Sequence, residues 1–217
     1  MKKRKSHYKI LVTAGPTIEP IDPVRYISNY SSGIMGQEIA LEAKRKGFKT
    51  FLVSGPVSIK PSKDVQTVFV KTARDMQREV MKRIKGIDCI IMSAAVCDFR
   101  PVKIKGQKIK KRQKIQLELV KNPDILQGLK KRNGLMKVGF ALETEELVKN
   151  AKKKLKEKNL DLIVANKKDK SADPFGEGEK TFLIIDKKNV ITELKNIGKK
   201  QCAKVIIEQV ERSFKDE

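Results

Sequence analysis

Short runs of consecutive apolar residues recur along this chain, and most of them are separated by stretches with the apolar spacing of a helix. The runs lie at residues 9–13, 50–54, 67–70, 88–93, 137–141 and 161–165. Because apolar side chains occupy both faces of each run, the runs predict strands that are covered on both sides. Helical spacing follows the first run at residues 34–46 and the third at residues 73–84. This alternation predicts an α/β fold, a three-layer, Rossmann-like, doubly wound and mostly parallel sheet.

The C-terminal part departs from this alternation. Residues 181–186 and 190–194 predict a hairpin, and a last helix is expected over about residues 197–214. At 217 residues we expect one domain over residues 9–217, after a basic tail at residues 1–8. No stretch approaches the roughly 20 apolar residues of a membrane helix, and the basic N-terminus leads into no signal-peptide core. We therefore predict a cytoplasmic protein without a membrane partner.

The chain contains one histidine, His7, and it lies in the basic tail. A Ser-His-Asp or Cys-His pair would have no base, and metal sites built on histidines are excluded. The three cysteines, Cys89, Cys97 and Cys202, form neither a disulfide framework nor a zinc pattern. An enzyme with this composition must use carboxylates, amides, lysines, arginines, backbone groups or the functional groups of its substrates.

Two long loops, at residues 14–32 and 95–116, interrupt the alternation. Loops of this length in a compact domain are usually functional or disordered, and both follow the carboxyl ends of predicted strands. The first ends in Ser31-Ser32-Gly33-Ile34-Met35-Gly36 at the start of a helix. Its glycines and hydroxyls would suit a phosphate at the helix N-terminus, or tight packing of helix against strand. The pattern GxGxxG of a dinucleotide site is absent, which disfavours a dehydrogenase.

The second loop is strongly basic, with eight Lys or Arg residues and no acidic residue between Phe99 and Leu117. The loop could be a solvated run, could follow a nucleic-acid backbone, or could be a flap that closes over a triphosphate. Further along, Asn122 before Pro123 predicts a helix cap, and that helix N-terminus is a second place for phosphate. Lys154 and Lys158 share one face of a predicted helix.

Several segments in order resemble the phosphopantothenate–cysteine ligases, also called phosphopantothenoylcysteine synthetases. The segments lie at residues 10–17, 19–29, 31–33, 94–101, 108–111, 117–125, 138–144 and 161–166, so that the resemblance covers nearly the whole chain after residue 8. In bacteria this ligase is usually the C-terminal half of a bifunctional protein that also carries a flavin-dependent decarboxylase. Nothing here corresponds to that half, which leaves a free-standing ligase or an excised domain.

The resemblance is to the bacterial type that uses CTP. It implies that the carboxylate of 4′-phosphopantothenate attacks the α-phosphate of CTP and gives an acyl-cytidylate and pyrophosphate. The amine of L-cysteine then attacks the acyl carbon and releases CMP, in a step of coenzyme A biosynthesis. Mg²⁺ or Mn²⁺ would accompany the triphosphate, without a metal site made by the protein. A homodimer is implied, and a decarboxylase domain or protein is a further partner.

The resemblance also implies roles for individual residues. It assigns Lys108 to the first step, and Asn29 with Arg25 to the acyl-cytidylate. The residues assigned to the nucleotide are Met92, Ser93, Ala94, Asp98, Lys108, Pro123, Asp124, Ile125, Leu126, Phe140, Lys154 and Lys158.

The chain departs from the family pattern at three positions. Ile34 stands where the family often has lysine, Cys97 replaces an alanine, and Lys180 stands near the place of an asparagine that follows Phe175-Gly176. A different class remains open, a basic nucleic-acid-binding protein with a Rossmann-like core, because the net charge is +23. The resemblance favours the ligase and no nucleic-acid partner.

Overall fold

The structure is a computed structural model that describes residues 7–110, 114–167 and 178–215. Within these ranges the strands are β1 (Lys9–Ala14), β2 (Ile18–Pro20), β3 (Tyr26–Ser28), β4 (Lys49–Ser54), β5 (Gln66–Phe69), β6 (Cys89–Met92), β7 (Phe99–Pro101), β8 (Leu119–Lys121), β9 (Met136–Glu143), β10 (Leu162–Lys167), β11 (Lys180–Asp186) and β12 (Ile191–Ile197). The helices are α1 (Ile34–Arg45), α2 (Ala73–Arg83), α3 (Ile125–Gly128), α4 (Leu147–Glu157) and α5 (Lys199–Ser213).

Eight strands form one sheet in the order β12-β11-β10-β9-β6-β1-β4-β5. The six strands from β10 to β5 run parallel to their neighbours, and β11 and β12 add an antiparallel hairpin at one edge. The order of the parallel strands reverses between β1 and β6, as in doubly wound folds. The predicted Rossmann-like sheet with a C-terminal hairpin is therefore confirmed.

Helices cover both faces of this sheet, which explains why its central strands are largely apolar on both faces. On β1, Ile10 and Val12 face a cluster that includes residues of α1 and α5, whereas Leu11 faces a cluster with residues of α2 and α4. All three side chains are fully buried. Each burial of this kind stabilises the fold by about 1.5–3 kcal/mol relative to an exposed side chain.

The structure corrects the predicted start of the last helix and shows short strands within the two long loops. Strand β12 extends to Ile197, and α5 begins only after Gly198, so that residue 197 is not helical. The first long loop contains the hairpin β2–β3, and the second is the excursion between β7 and β8, which pair with each other. Short strands of this kind carry too few apolar residues to be recognised in the sequence. None of the described helices is long and apolar enough to span a membrane.

Candidate active site

Two adjoining cavities lie at the carboxyl ends of β1 and β6, where the strand order reverses. Open α/β sheets bind ligands at this position because the connections leave in opposite directions and open a crevice. The first cavity has a volume of about 360 Å³ and the second about 570 Å³. They share five lining residues: Ala94, Val96, Asp98, Phe140 and Lys154. An extended ligand could therefore occupy both.

The first cavity is bounded by the loop that precedes α1. Its lining includes the segments 29–33 and 93–96 together with Lys199. Gly33 precedes α1 with φ 76°, and no side chain of the described residues caps this helix. The first N–H groups of a helix without a side-chain cap are suited to an anion. Gly36 instead allows tight packing of helix α1 against strand β1, because an added Cβ would lie 2.6 Å from the Cβ of Ala14.

The second cavity collects most of the residues that the resemblance assigns to the nucleotide. Its lining includes Met92, Ala94, Asp98, Pro123, Asp124, Ile125, Leu126, Phe140, Lys154 and Lys158. Ser93 lines the first cavity instead, beside Asn29. Residues that are separated by up to 66 positions in the chain thus meet at one edge of the sheet, although their roles stay predictions.

Lys154 is the basic residue that both cavities share. Its ammonium donates to the carbonyl oxygen of Phe140 at 2.8 Å. Burial lowers the pKa of Lys154, because a charged ammonium is costly to remove from water. A bound polyphosphate would favour the charged form and raise this pKa again.

Lys158 lies one helical turn further along and forms an ion pair with Asp124. Burial opposes the ionisation of Asp124, but the hydrogen bonds from Lys158 and Gln127 and the charges of Lys158 and Lys154 together outweigh it, so the pKa of Asp124 lies below its ordinary value. Asp124 also caps α3 by accepting from the N–H of Gln127 at 2.9 Å. The predicted cap at Asn122 is therefore wrong. The side chain of Asn122 instead donates to the carbonyl oxygen of Cys97 at 2.9 Å and fixes the strand end.

Asn29 is held at the rim of the first cavity. Its amide nitrogen donates to the carbonyl oxygen of Val96 at 3.0 Å, which ties the first long loop to the segment after β6. Cys97, which replaces the family's alanine, is buried, and its thiol lies 3.4 Å from the carbonyl oxygen of Thr17. Burial raises the pKa of this thiol. Cys97 is thus an uncharged packing residue.

The structure does not bring Lys108 and Arg25 to the cavity walls. Lys108 is exposed on the excursion between β7 and β8, and it lines neither cavity. Arg25 directs its guanidinium to Asp22 and to the carbonyl oxygen of Ile109, not to the cavities. The part of the basic loop at residues 111–113 lies outside the described residues, as do Phe175 and Gly176. Lys180 is buried and donates to the carbonyl oxygen of Gly178 at 3.0 Å.

Two residues near this edge were missed in the sequence. Lys199, the first residue of α5, is 8% exposed, lines the first cavity and lies 3.4 Å from the hydroxyl of Ser32. Asp22 is buried beneath the basic loop. No local pattern marks either one, because a lysine at a helix start and Asp before Pro are common. Among the described residues, no group of three or more His, Cys, Asp or Glu residues could hold a metal ion.

Comparison with known proteins identifies a family whose pattern matches nearly the whole chain. The family described as DNA/pantothenate metabolism flavoprotein C-terminal domain matches residues 5–214. A protein named Cysteine/Cysteine sulfinic acid decarboxylase, from an unknown prokaryotic organism, is 41% identical over 207 residues, which are 93% of this chain and 57% of that protein. The Coenzyme A biosynthesis bifunctional protein CoaBC of Borreliella burgdorferi is 40% identical over 204 residues, which are 92% of this chain and 51% of that protein.

A solved structure gives the same result. The C-terminal domain of a Coenzyme A biosynthesis bifunctional protein CoaBC superimposes with a TM-score of 0.85 at 36% identity, and the match covers 99% of this chain and 100% of that one. The chain spans little more than half the length of the two curated relatives described above. It therefore corresponds to a part of those proteins.

Proposed function

The chain belongs to the DNA/pantothenate metabolism flavoprotein C-terminal domain family, and from this membership we propose that it is a CTP-dependent phosphopantothenate–cysteine ligase of coenzyme A biosynthesis. One observation carries the proposal. Two adjoining cavities at the switch point of the sheet share Phe140 and Lys154, and between them they are lined by all the residues that the resemblance assigns to the nucleotide except Lys108. Such a pair of cavities suits a reaction that joins a nucleotide to a second, elongated substrate.

In the proposed first step, a carboxylate oxygen of 4′-phosphopantothenate forms a bond to the α-phosphorus of CTP. The bond between that phosphorus and the bridging oxygen breaks, and pyrophosphate leaves with the electron pair. In the second step the amine nitrogen of L-cysteine bonds to the acyl carbon. The acyl C–O bond then breaks, CMP leaves, and the amine loses a proton. Both nucleophiles come from the substrates, which fits a chain whose single histidine lies outside the described site.

The protein would act mainly by holding reactants and neutralising charge. We assign the cytidine to the second cavity and the phosphates to the side where Lys154 faces both cavities. Asn29 lies where an acyl-cytidylate that extends into the first cavity would pass. Mg²⁺ would enter as the counter-ion of CTP, since it is usually bound through substrate phosphates, and no step here depends on it.

We also propose a homodimer and a cytoplasmic location. Apolar side chains are exposed around the two small sheets, among them Tyr26, Tyr30, Phe99 and Val102, and Tyr30 is 81% exposed. The two small sheets are neighbours, because β2 contacts β7, and exposed apolar side chains that gather in one patch usually mark an interaction site. A second copy of the chain is the occupant that the resemblance implies. The three cysteines are buried and free, which suits a reducing compartment.

The proposal is tested by incubating the chain with CTP, Mg²⁺, 4′-phosphopantothenate and L-cysteine. We expect CMP, pyrophosphate and 4′-phosphopantothenoyl-L-cysteine in equal amounts, and an acyl-cytidylate when cysteine is omitted. Carbon dioxide is measured in the same samples, because one relative carries the name of a decarboxylase. The absence of CMP and pyrophosphate would contradict the ligase. Salt-dependent binding of duplex DNA in the same preparation would favour the nucleic-acid class instead.

A further inference from the structure

Asp22 is a buried carboxylate, and both of its oxygens accept hydrogen bonds. Its Oδ1 accepts from the backbone N–H groups of Val24 and Arg25, both at 2.9 Å. Its Oδ2 accepts from three donors: the Nε of Arg25 at 3.0 Å, the Nη2 of Arg25, and the backbone N–H of Ile109 at 3.1 Å. The two oxygens therefore have separate tasks. Oδ1 closes the turn that contains Asp22, and Oδ2 reaches across to another part of the chain.

The other part is the basic loop between β7 and β8, which we call the flap (described residues 102–110 and 114–118). Two peptide groups on either side of Ile109 are held. The peptide that joins Lys108 to Ile109 donates to Asp22, and the carbonyl oxygen of Ile109 accepts from the Nη2 of Arg25 at 2.9 Å. A further contact lies nearer the base of the flap, where the N–H of Lys105 donates to the carbonyl oxygen of Ile21 at 2.9 Å.

We propose that Asp22 is a positioning residue for Lys108, and that Arg25 acts with it by anchoring the flap. Lys108 immediately precedes the held peptide, so the anchor fixes the backbone from which its side chain extends. This inference rests on the proposed ligase, in which Lys108 serves the first step. It assigns Arg25 a task on the flap of its own chain, in addition to the contact with the acyl-cytidylate that the resemblance implies.

The electrostatics agree with an anchor that remains ionised. The Arg25 guanidinium holds the pKa of Asp22 well below its usual range, and the hydrogen bonds from Ile109, Val24 and Arg25 act in the same direction against burial. All three groups near Oδ2 are N–H donors, so the side-chain atom at this position must be an acceptor. A carboxylate oxygen meets this requirement and an amide nitrogen does not. From residue 102 to residue 117 every charged residue of the flap is basic, so that without an anionic partner nearby its lysines would repel one another.

Asp22→Asn separates the two tasks of the side chain. The asparagine Oδ1 can keep both backbone bonds of the turn, whereas its amide nitrogen meets three donors in place of Oδ2. A second variant, Arg25→Lys, keeps the charge but cannot bond Asp22 and the Ile109 carbonyl as a planar fork. The matched control is Asp75→Asn. Asp75 also pairs with an arginine three residues on, Arg78, at 2.6 Å, but it lies at the start of α2 away from both cavities.

The first measurement is amide hydrogen exchange of the flap, which does not depend on activity. We expect exchange over residues 103–110 to be at least about threefold faster in Asp22→Asn and Arg25→Lys, because these variants lack hydrogen bonds that oppose local opening of the flap. Asp75→Asn should match the unaltered protein in this segment. Unchanged exchange in both flap variants would overturn the anchor, whatever the chain catalyses.

The second measurement is pyrophosphate release in a single turnover with CTP and 4′-phosphopantothenate. We expect Asp22→Asn to slow this step by about 10–100-fold, the scale of a misplaced catalytic group, with CTP affinity within about twofold. When Lys108 is already alanine, adding Asp22→Asn should slow pyrophosphate release by less than about a further threefold. The reason is that the effects of residues that act as a unit are not additive. Equal losses in both backgrounds would show that Asp22 does not act through Lys108. Absence of the reaction in the unaltered protein would instead contradict the ligase.

Discussion

The ammonium of Lys154 lies 2.8 Å from the carbonyl oxygen of Phe140, and these two residues stand on the wall that the two cavities share. The hydrogen bond comes from α4 to β9, so that the position of the charge is set by helix and sheet rather than by a loop. A cation held in this way costs little reorganisation when phosphate charge approaches. We therefore expect Lys154 to contribute to nucleotide binding more than the exposed lysines do.

The first prediction concerns the pH dependence of CTP binding. Burial lowers the pKa of Lys154 in the free protein, and a bound triphosphate should raise it. Below the free-protein pKa the lysine is charged in both states, and this group adds no pH dependence. Above that pKa, binding must take up a proton, so that the Kd for CTP should rise about tenfold per pH unit. Isothermal titration calorimetry across the alkaline range measures this.

Lys154→Arg provides the counterpart, because arginine stays charged throughout this range. We expect its Kd near pH 7 to stay within about fivefold of the unaltered protein, a modest change for a retained charge, and the alkaline rise to disappear. Lys153→Arg is the matched control, since Lys153 is an exposed neighbour on α4 whose side chain lies beside Glu157. If the Kd of Lys154→Arg for CTP still rises at alkaline pH, the rise is due to the titration of another group.

The second prediction concerns Lys108 itself. Because its side chain is exposed and lines neither cavity, Lys108→Ala should change the free energy of unfolding by less than about 0.5 kcal/mol. Pyrophosphate release should nevertheless fall by at least about 100-fold, the scale of one electrostatic stabiliser. Lys103→Ala, an exposed lysine of the same flap, should retain most of the activity. Near-normal activity in Lys108→Ala would remove it from the mechanism.

The third prediction separates the two half-reactions at Asn29. Its amide nitrogen donates to the carbonyl oxygen of Val96, and a carboxylate there would face that carbonyl and repel the phosphate of the intermediate. Asn29→Asp should still form the acyl-cytidylate, but transfer to cysteine should slow by at least about tenfold, since orientation is lost. Mass spectrometry without cysteine should show the trapped intermediate. If both half-reactions fail together, Asn29 serves binding or folding.

The fourth prediction concerns the cap of α3. Asp124 accepts from the Gln127 N–H and also pairs with Lys158. Asp124→Ala should lower the free energy of unfolding by about 1 kcal/mol, and so the Tm by about 2–4 °C. Asp124→Ser keeps a cap without the charge, and its Tm should fall by less than half as much, because a partly exposed ion pair is worth little. Equal losses in the two variants would show that the ion pair, not the cap, stabilises this segment.

The sequence was sufficient for the sheet because the strands are continuous apolar runs, and burial on both faces leaves few alternatives. It also indicated the crevice, since both long loops follow strand ends that meet there. The task of Arg25 at the flap could not be predicted from the sequence. That task depends on Ile109, 84 residues away, approaching a carboxylate that the local sequence explains as an ordinary Asp-Pro turn. The cap at Asn122 failed for a similar reason, because Cys97 offers its side chain a distant carbonyl partner.

The last prediction is the choice of nucleotide, for which the second cavity sets two separate tests. The N–H of Ala94 is already bonded to the hydroxyl of Thr13 at 3.2 Å, so that this group of the strand end is not free to read a base. Asp98 remains as an acceptor at the rim, either for the exocyclic amine of cytosine or for the ribose hydroxyls.

Adenine also presents an exocyclic amine, and only its size distinguishes it here. A purine should fit the space between the end of β6 and the segment Pro123 to Leu126 less well, and we expect kcat/KM for CTP to exceed that for ATP by at least about tenfold, or about 1.4 kcal/mol. UTP should also be poor, because uracil replaces the amine with a carbonyl and would leave Asp98 facing an acceptor, at about 1–3 kcal/mol.

Asp98→Ala distinguishes the two tasks of the carboxylate. If Asp98 reads the base, the preference for CTP over UTP should collapse while the preference over ATP, which depends on size, persists. If Asp98 binds the ribose, kcat/KM should fall by a similar factor for all three nucleotides and both preferences should remain. Steady-state kinetics with each nucleotide decide between these outcomes. Equal use of ATP and CTP by the unaltered protein would refute the size argument, because it would mean that the second cavity accepts either ring system.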